Sequence, residues 1–273
     1  MIVFAFLFLQ SFSKLHALKI ASFSRNNFQA LLRELIFGNC VVSQGLQNMF
    51  EVIACSVADA VAAEQGGADR LELIADFAVG GLTPPFALVR EVITAVKIPV
   101  RVMLRETENF TVTDDAEKQR LCEAAKKLAA LPIDGIVCGF LRGDAIDQSL
   151  LTRILAIAPQ LKFTFHRAFE ELSNPIQSLN QLKYYPQIDY ILTSGGQGSQ
   201  GQKIQNLKNY ELAARPEIKI LAGGGMTDEM IRAIKENTAI RDFHLGTFVR
   251  EPQEVNGKVA VRRVKAMSEL IEM

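Results

Sequence analysis

The 273-residue chain has no excess of either charge. Its 30 Lys and Arg balance 30 Asp and Glu, for a formal net charge of +0 and a pI near 6.8. Backbone affinity for phosphates needs a basic excess on some face, so nucleic acid is not an expected partner. Cysteine is scarce: Cys40, Cys55, Cys122 and Cys138 lie 15, 67 and 16 positions apart, with no C-x-x-C pair. That spacing excludes a zinc knuckle or a thioredoxin-type motif, and dispersed thiols suit a reducing cytoplasm, the expected location. Long hydrophobic runs are missing too. The apolar stretch Ile2 to Leu9 is far shorter than the roughly 20 residues that span a bilayer, so no membrane partner is expected. No Lys or Arg precedes that stretch and no small-x-small cleavage site follows it, which tells against a secretory signal. Yet 49% of residues are hydrophobic and only 22% charged, so a packed core is expected and disorder is not.

What is present begins at Met49. Residues 1–48 show little helix or strand rhythm and read as a poorly structured N-terminal extension outside the fold. From 49 onward, short apolar runs alternate with helical stretches: FEVIACS (50–56), RLELIA (70–75), VRVMLR (100–105), GIVCGF (135–140), KFTFHR (162–167), YILTSG (190–195), IKILAGG (218–224) and DFHLGT (242–247). Such runs suit strands of a parallel sheet covered by helices. Ser56, Thr83-Pro84, Asn174-Pro175 and Thr227 read as helix starts, since their side chains offer N-cap acceptors and Pro suits the first helical position. Eight strand–helix units of about 25 residues close most naturally into a (β/α)₈ TIM barrel. The domain then covers 49–273, with a helix over about 258–272 at its end.

Sites in such barrels lie at the C-terminal ends of the strands. The apolar runs carry an unexpected polar set: Glu51 with Cys55, Glu72, Arg105, His166 and Arg167, Thr193 and Ser194, and His244. A charged residue in mid-strand cannot point at the covering helices, so it must point into the barrel and find a partner there. Only three histidines exist, and two of them, His166 and His244, fall at strand ends. Glu51, Glu72, Arg105, His166, Arg167 and His244 are therefore the candidate catalytic set, with a purely structural ionic layer as the other reading of Glu51. Imidazole and carboxylate also suit a divalent metal, although no closely spaced histidine pair points to one.

Glycine marks a second feature. Gly223, Gly224 and Gly225 follow the seventh run and open a helix, where backbone N–H groups could face an anion. Thr193, Ser194 and Gly195 after the sixth run join them as candidate anion-binding residues. A tight turn that merely needs small residues explains the same glycines. The G-x-G-x-x-G at 196–201 lacks the acidic residue a dinucleotide site needs, because that position falls near Leu221. Lys97, Lys162 and Lys219 precede or open their strands, which disfavours a Schiff-base lysine at the mouth. No G-x-S-x-G occurs either.

These residues carry a family likeness. EVIACSVADAVAAEQGGADRLEL, GGLTP, FTFHRAFEE, ILTSGG, AGGGMT and DFH, in this order between Phe50 and Thr247, resemble the CutC family of copper homeostasis proteins. The resemblance implies a (β/α)₈ barrel, a cytoplasmic homo-oligomer, a part in copper homeostasis, and copper as a bound metal. The proposed copper ligands of that family are cysteines in E-V-C-V-D-S and I-E-L-C, where this chain has Ile53 and Ile74. Isoleucine cannot ligate Cu(I). Cys55, two residues beyond Ile53, is the one thiol that could substitute as a metal ligand. The family's M-I-R-P-R reads Met103-Leu104-Arg105-Glu106-Thr107 here, keeping one Arg. The expected ligand is thus a small molecule or a metal. Two functions stay open: a copper-homeostasis protein that binds copper, or a barrel enzyme acting on a small anionic or phosphorylated metabolite.

Overall fold

The computed structural model describes residues 48–273, so the expected extension lies outside the described residues except for Asn48. Eight parallel strands form a closed barrel: β1 (Phe50–Ala54), β2 (Arg70–Leu73), β3 (Val100–Met103), β4 (Gly135–Cys138), β5 (Lys162–Phe165), β6 (Ile188–Thr193), β7 (Lys219–Gly223) and β8 (Asp242–Leu245). Each pairs with its sequence neighbours, and β8 closes on β1. The helices between them are α1 (Val57–Gln65), α2 (Phe86–Ala95), α3 (Asp115–Ala129), α4 (Gln148–Ile157), α5 (Pro175–Leu182), α6 (Gln200–Ala214) and α7 (Asp228–Asn237), and α8 (Val261–Glu272) ends the chain. This is the expected (β/α)₈ architecture.

Most helix starts follow the side-chain chemistry of the sequence. Ser56, Asn174 and Thr227 accept N–H bonds from Asp59, Gln177 and Met230. Thr83 does not cap. Its hydroxyl ties to the backbone of Arg105 instead, and α2 starts at Phe86 after two prolines. The Gly-rich stretch 196–201 is not wholly loop, since Ser199 forms a capping box with Gln202 that draws Gly201 into α6. Strand β6 begins two residues before the apolar run, at Ile188, where a register shift opposite Phe163 and Thr164 admits Asp189.

The main core lies between strands and helices. Val52, Leu71, Leu73, Val102, Ile136, Phe163, Phe165, Ile191, Ile220, Phe243 and Leu245 point outward into it and are fully buried, each worth roughly 1.5–3 kcal/mol of burial. The barrel interior is different in kind. A few apolar side chains, among them Ile53, Ile74, Met103 and Val137, share it with buried Glu51, Arg70, Glu72, Arg101, Thr164 and His244. Arg101 anchors the floor. Its guanidinium bonds both carboxylate oxygens of Asp189 at 2.7 and 2.6 Å, Asp134 at 2.7 Å and the Thr164 hydroxyl at 2.7 Å. Three short 3₁₀ turns, Phe77–Val79, Arg167–Glu171 and Thr247–Val249, follow β2, β5 and β8 and shape the rim.

Candidate functional site at the barrel mouth

A cavity of about 680 Å³ opens at the C-terminal ends of the strands. Glu72, Arg105, His166, Arg167, Gly224, Gly225 and His244 line it, with Phe77, Phe110 and Phe248 among its apolar walls. Residues far apart in sequence meet there because adjacent strands set them in register.

Glu51 stands beside His244 on β8 and beside Arg70 on β2. Its two carboxylate oxygens divide between them. Oε2 accepts from Arg70 Nε at 2.5 Å, and Oε1 lies 2.8 Å from His244 Nδ1. Burial alone would raise this carboxyl, but Arg70 and His244 outweigh it and hold Glu51 well below the usual carboxylate range. Glu51 sits beneath the cavity and does not line it, so it orients His244. The other ring nitrogen, Nε2, lies 3.4 Å from Glu72 Oε2. Burial favours a neutral imidazole, yet Glu72 and Glu51 prevail and the His244 pKa is raised. Glu72 keeps Oε1 buried with no partner, and burial pushes its carboxyl up to about 7, with His244 opposing and Glu51 adding. The result is a chain, Arg70–Glu51–His244–Glu72, that ends on a carboxyl able to gain or lose a proton at neutral pH.

His166 faces the same cavity from the end of β5. Its Nδ1 accepts the N–H of Ala168 at 3.2 Å, so in the neutral ring the proton must be on Nε2. Nε2 is buried and has no protein partner. Burial, with Arg105 and Arg167 adding, drives the pKa down to about 3, so the ring is a neutral N–H donor across the physiological range. Gly139 makes room for it: a Cβ there would lie 2.7 Å from Nδ1.

Arg105 plays a different part from the one its position suggests. All its donors are taken by backbone carbonyls: Thr107 at 2.7 Å, Glu108, Val79 and Gly81 at 3.3 Å each for the latter two, and Gly80 at 3.5 Å. The side chain binds the loops after β2 and β3 together and stacks over Phe110. No carboxylate pairs with it directly, but Glu108, Glu171 and Glu72, which line the same cavity, oppose its charge. Arg167 is paired, by two bonds to Glu170 at 3.2 and 2.8 Å, and its guanidinium lies over Gly224.

The remaining candidates are divided. Gly224 and Gly225 line the cavity with φ of +91° and +72°, a conformation that glycine alone takes readily. Asp228 and Glu229 already occupy the first turn of α7, so any charge that holds an anion there comes from the arginines. Thr193, Ser194 and Gly195 are outside the lining. Thr193 Oγ1 and the Ser194 N–H bind Glu170 Oε1 at 3.1 and 2.6 Å, and Gly195 N–H binds Thr193 Oγ1; they fix the acid that fixes Arg167. Gly223 is a spacer, since a Cβ would meet Leu192 at 2.5 Å and His244 at 3.0 Å.

Sequence reasoning missed Arg70, Arg101 and Glu170. The two arginines share strand parity with Glu72 and Arg105, which was the available signal. Glu170 follows Arg167 by three residues, the spacing of one 3₁₀ turn.

Among the described residues, those at the barrel mouth do not fit a thiolate copper site. Ile53 and Ile74 pack with Met103 and Val137 and offer no ligand. Cys55 lies outside the cavity lining, with Arg250 Nη2 3.5 Å from its sulfur. Burial, against the pull of Arg250, raises that thiol to about 11, so it is protonated at neutral pH.

Three comparisons place the chain among known proteins. The copper homeostasis protein cutC homolog of Homo sapiens is 36% identical over 198 residues, 72% of each chain. The crystal structure of a CutC from Streptococcus agalactiae superposes with a TM-score of 0.67 at 28% identity, covering 74% of this chain and 99% of that one. A phosphoribosyl anthranilate isomerase from Thermococcus kodakaraensis, at TM-score 0.54 and 16% identity over 82% of this chain and 98% of its own, shares the barrel alone. The CutC family model matches residues 48–249, nearly the whole barrel. This chain belongs to the CutC family.

Proposed function

We propose that this chain is an acid–base enzyme of the CutC family, acting on a small anionic metabolite held in the barrel mouth. The observation that carries the reading is the Glu51–His244–Glu72 chain. It delivers a buried carboxyl with a pKa near 7 to the wall of a cavity large enough for a metabolite. Glu72 is the acid/base, His244 holds or relays its proton, and Glu51 with Arg70 fixes His244. Arg105 and Arg167, which share the lining with Glu108, Glu170 and Glu171, are the cations an anionic group would meet. Free thiols at Cys55, Cys122 and Cys138 support a cytoplasmic setting.

The test is a thermal-shift screen of the full chain against phosphorylated and carboxylated metabolites. A ligand present at 100 times its Kd stabilises by about 2.7 kcal/mol. Its shift should shrink in Arg167→Ala, and its turnover should vanish in Glu72→Gln. A ligand indifferent to both substitutions would refute the site.

The copper reading has the name of the human relative behind it. For this chain it requires a metal held without the cysteine pair. Calorimetry with Cu(I) decides it: binding abolished by Cys55→Ser would restore a thiolate site and count against the enzyme reading.

A further inference from the structure

We propose that the mouth of this barrel enolises an α-hydroxycarbonyl compound, the substrate's carbonyl oxygen lying on His166 Nε2–H and its hydroxyl-bearing carbon on Glu72. This rests on the acid–base reading above and names its substrate class and reaction.

The two orphaned atoms carry the inference. Glu72 Oε1 and His166 Nε2 are both buried, both without a protein partner, and both belong to residues that line one cavity. A buried polar atom left unpaired costs about 1–3 kcal/mol, so a ligand that satisfies both atoms gains at both ends. One is a carboxylate oxygen and therefore takes a proton. The other carries a proton by construction, since Ala168 N–H occupies Nδ1. A base on one side and a fixed neutral N–H on the other call for a substrate with an acidic C–H next to a carbonyl. A neutral imidazole that resists protonation is matched to an enediolate oxygen, because it donates a hydrogen bond without surrendering its proton to water. The neighbours agree: Gly139 leaves space for the ring, Phe110 packs against it at 5.0 Å, and His244 approaches the far oxygen of Glu72.

The step balances within the substrate. Glu72 removes the proton from the hydroxyl-bearing carbon, and that C–H pair becomes the carbon–carbon double bond. The carbonyl pair moves onto its oxygen, which His166 Nε2–H stabilises. The hydroxyl proton passes to that oxygen, and Glu72 returns its proton to the former carbonyl carbon. The product is the isomeric hydroxycarbonyl, with no oxidant or reductant consumed.

The experiment uses the purified full chain in D₂O with hydroxyacetone and dihydroxyacetone phosphate. Loss of the α-proton signal is followed by NMR, and calorimetry with phosphoglycolohydroxamate, an enediolate mimic, runs alongside. Exchange should exceed the buffer rate. Glu72→Gln should lower it on the order of 10²–10⁴-fold, the range for loss of a positioned base, while still binding the mimic. His166→Asn, which keeps an acceptor for Ala168 N–H, should weaken both exchange and mimic binding, and serves should Glu72→Gln fail to fold. Mimic binding without exchange of either compound would overturn the enolisation and leave the anionic acid–base pocket standing. Exchange undiminished in both variants would also overturn it. Absence of both exchange and mimic binding would overturn the α-hydroxycarbonyl assignment, and the metabolite screen decides the acid–base reading separately.

Discussion

Replacing His166 with Asn tests whether its imidazole is as isolated from water as the structure shows. In the folded protein the ring stays neutral down to about pH 3, whereas in the unfolded chain it takes a proton near its ordinary value of 6.5. Between those values the unfolded chain binds more protons, so stability falls with acid and rises with pH. From pH 8 to pH 5 the loss is about RT ln(1 + 10^1.5), or about 2 kcal/mol. Glu72 tilts the other way. Its folded pKa of about 7 lies above the ordinary 4.5, so the folded protein gains a proton first, and acidification over the same range is stabilising. His244, whose pKa is also raised, adds to that tilt, so the slope of His166 is masked in the unaltered protein. The charges acting on His166 are those of Arg105 and Arg167, so His166→Asn removes one slope and leaves the other. Guanidinium denaturation of both proteins at the two pH values gives the difference directly. On passing from pH 8 to pH 5 the variant should gain about 2 kcal/mol relative to its parent. A difference below about 0.5 kcal/mol would mean that the ring titrates as it does in water, and the argument for a fixed N–H donor would fail.

Two further outcomes follow from the interior contacts. Glu51→Gln strips the charge that partners both Arg70 and His244 and should cost about 3–5 kcal/mol, the penalty for breaking a buried pair, as measured by chemical denaturation. Gly223→Ala sets a methyl group 2.5 Å from Leu192 and 3.0 Å from His244; it should cost about 1–3 kcal/mol by overpacking, and the His244 imidazole resonances should shift in NMR while those of His166 stay put.

The barrel could be read from sequence because parallel strands buried by helices leave a plain signal: short apolar runs at even spacing. Glu72 and His244 were legible for the converse reason, since a charge inside such a run has nowhere to point but inward. Arg70 and Arg101 were not, because an arginine at or near the start of a strand looks like a solvated terminus until closure brings Glu51, Asp189 and Asp134 around it. Thr193 and Ser194 sit at a strand end as site residues do, and only the fold shows that their bonds go to Glu170. Arg105 likewise occupies a catalytic position, and what it binds depends on loop carbonyls that no pattern of side chains encodes.

That last contact ties one stretch of the rim together. One guanidinium gathers carbonyls from 79–81 and 107–108, and Thr83 doubles the tie through the backbone of Arg105. The lips after the second and third strands are therefore riveted to each other and cannot part without stripping that cation of its partners at Val79, Gly80 and Gly81. Losing that one side chain would therefore unfasten two lips at once, and the damage would lie in the shape of the opening before it lay in its charge.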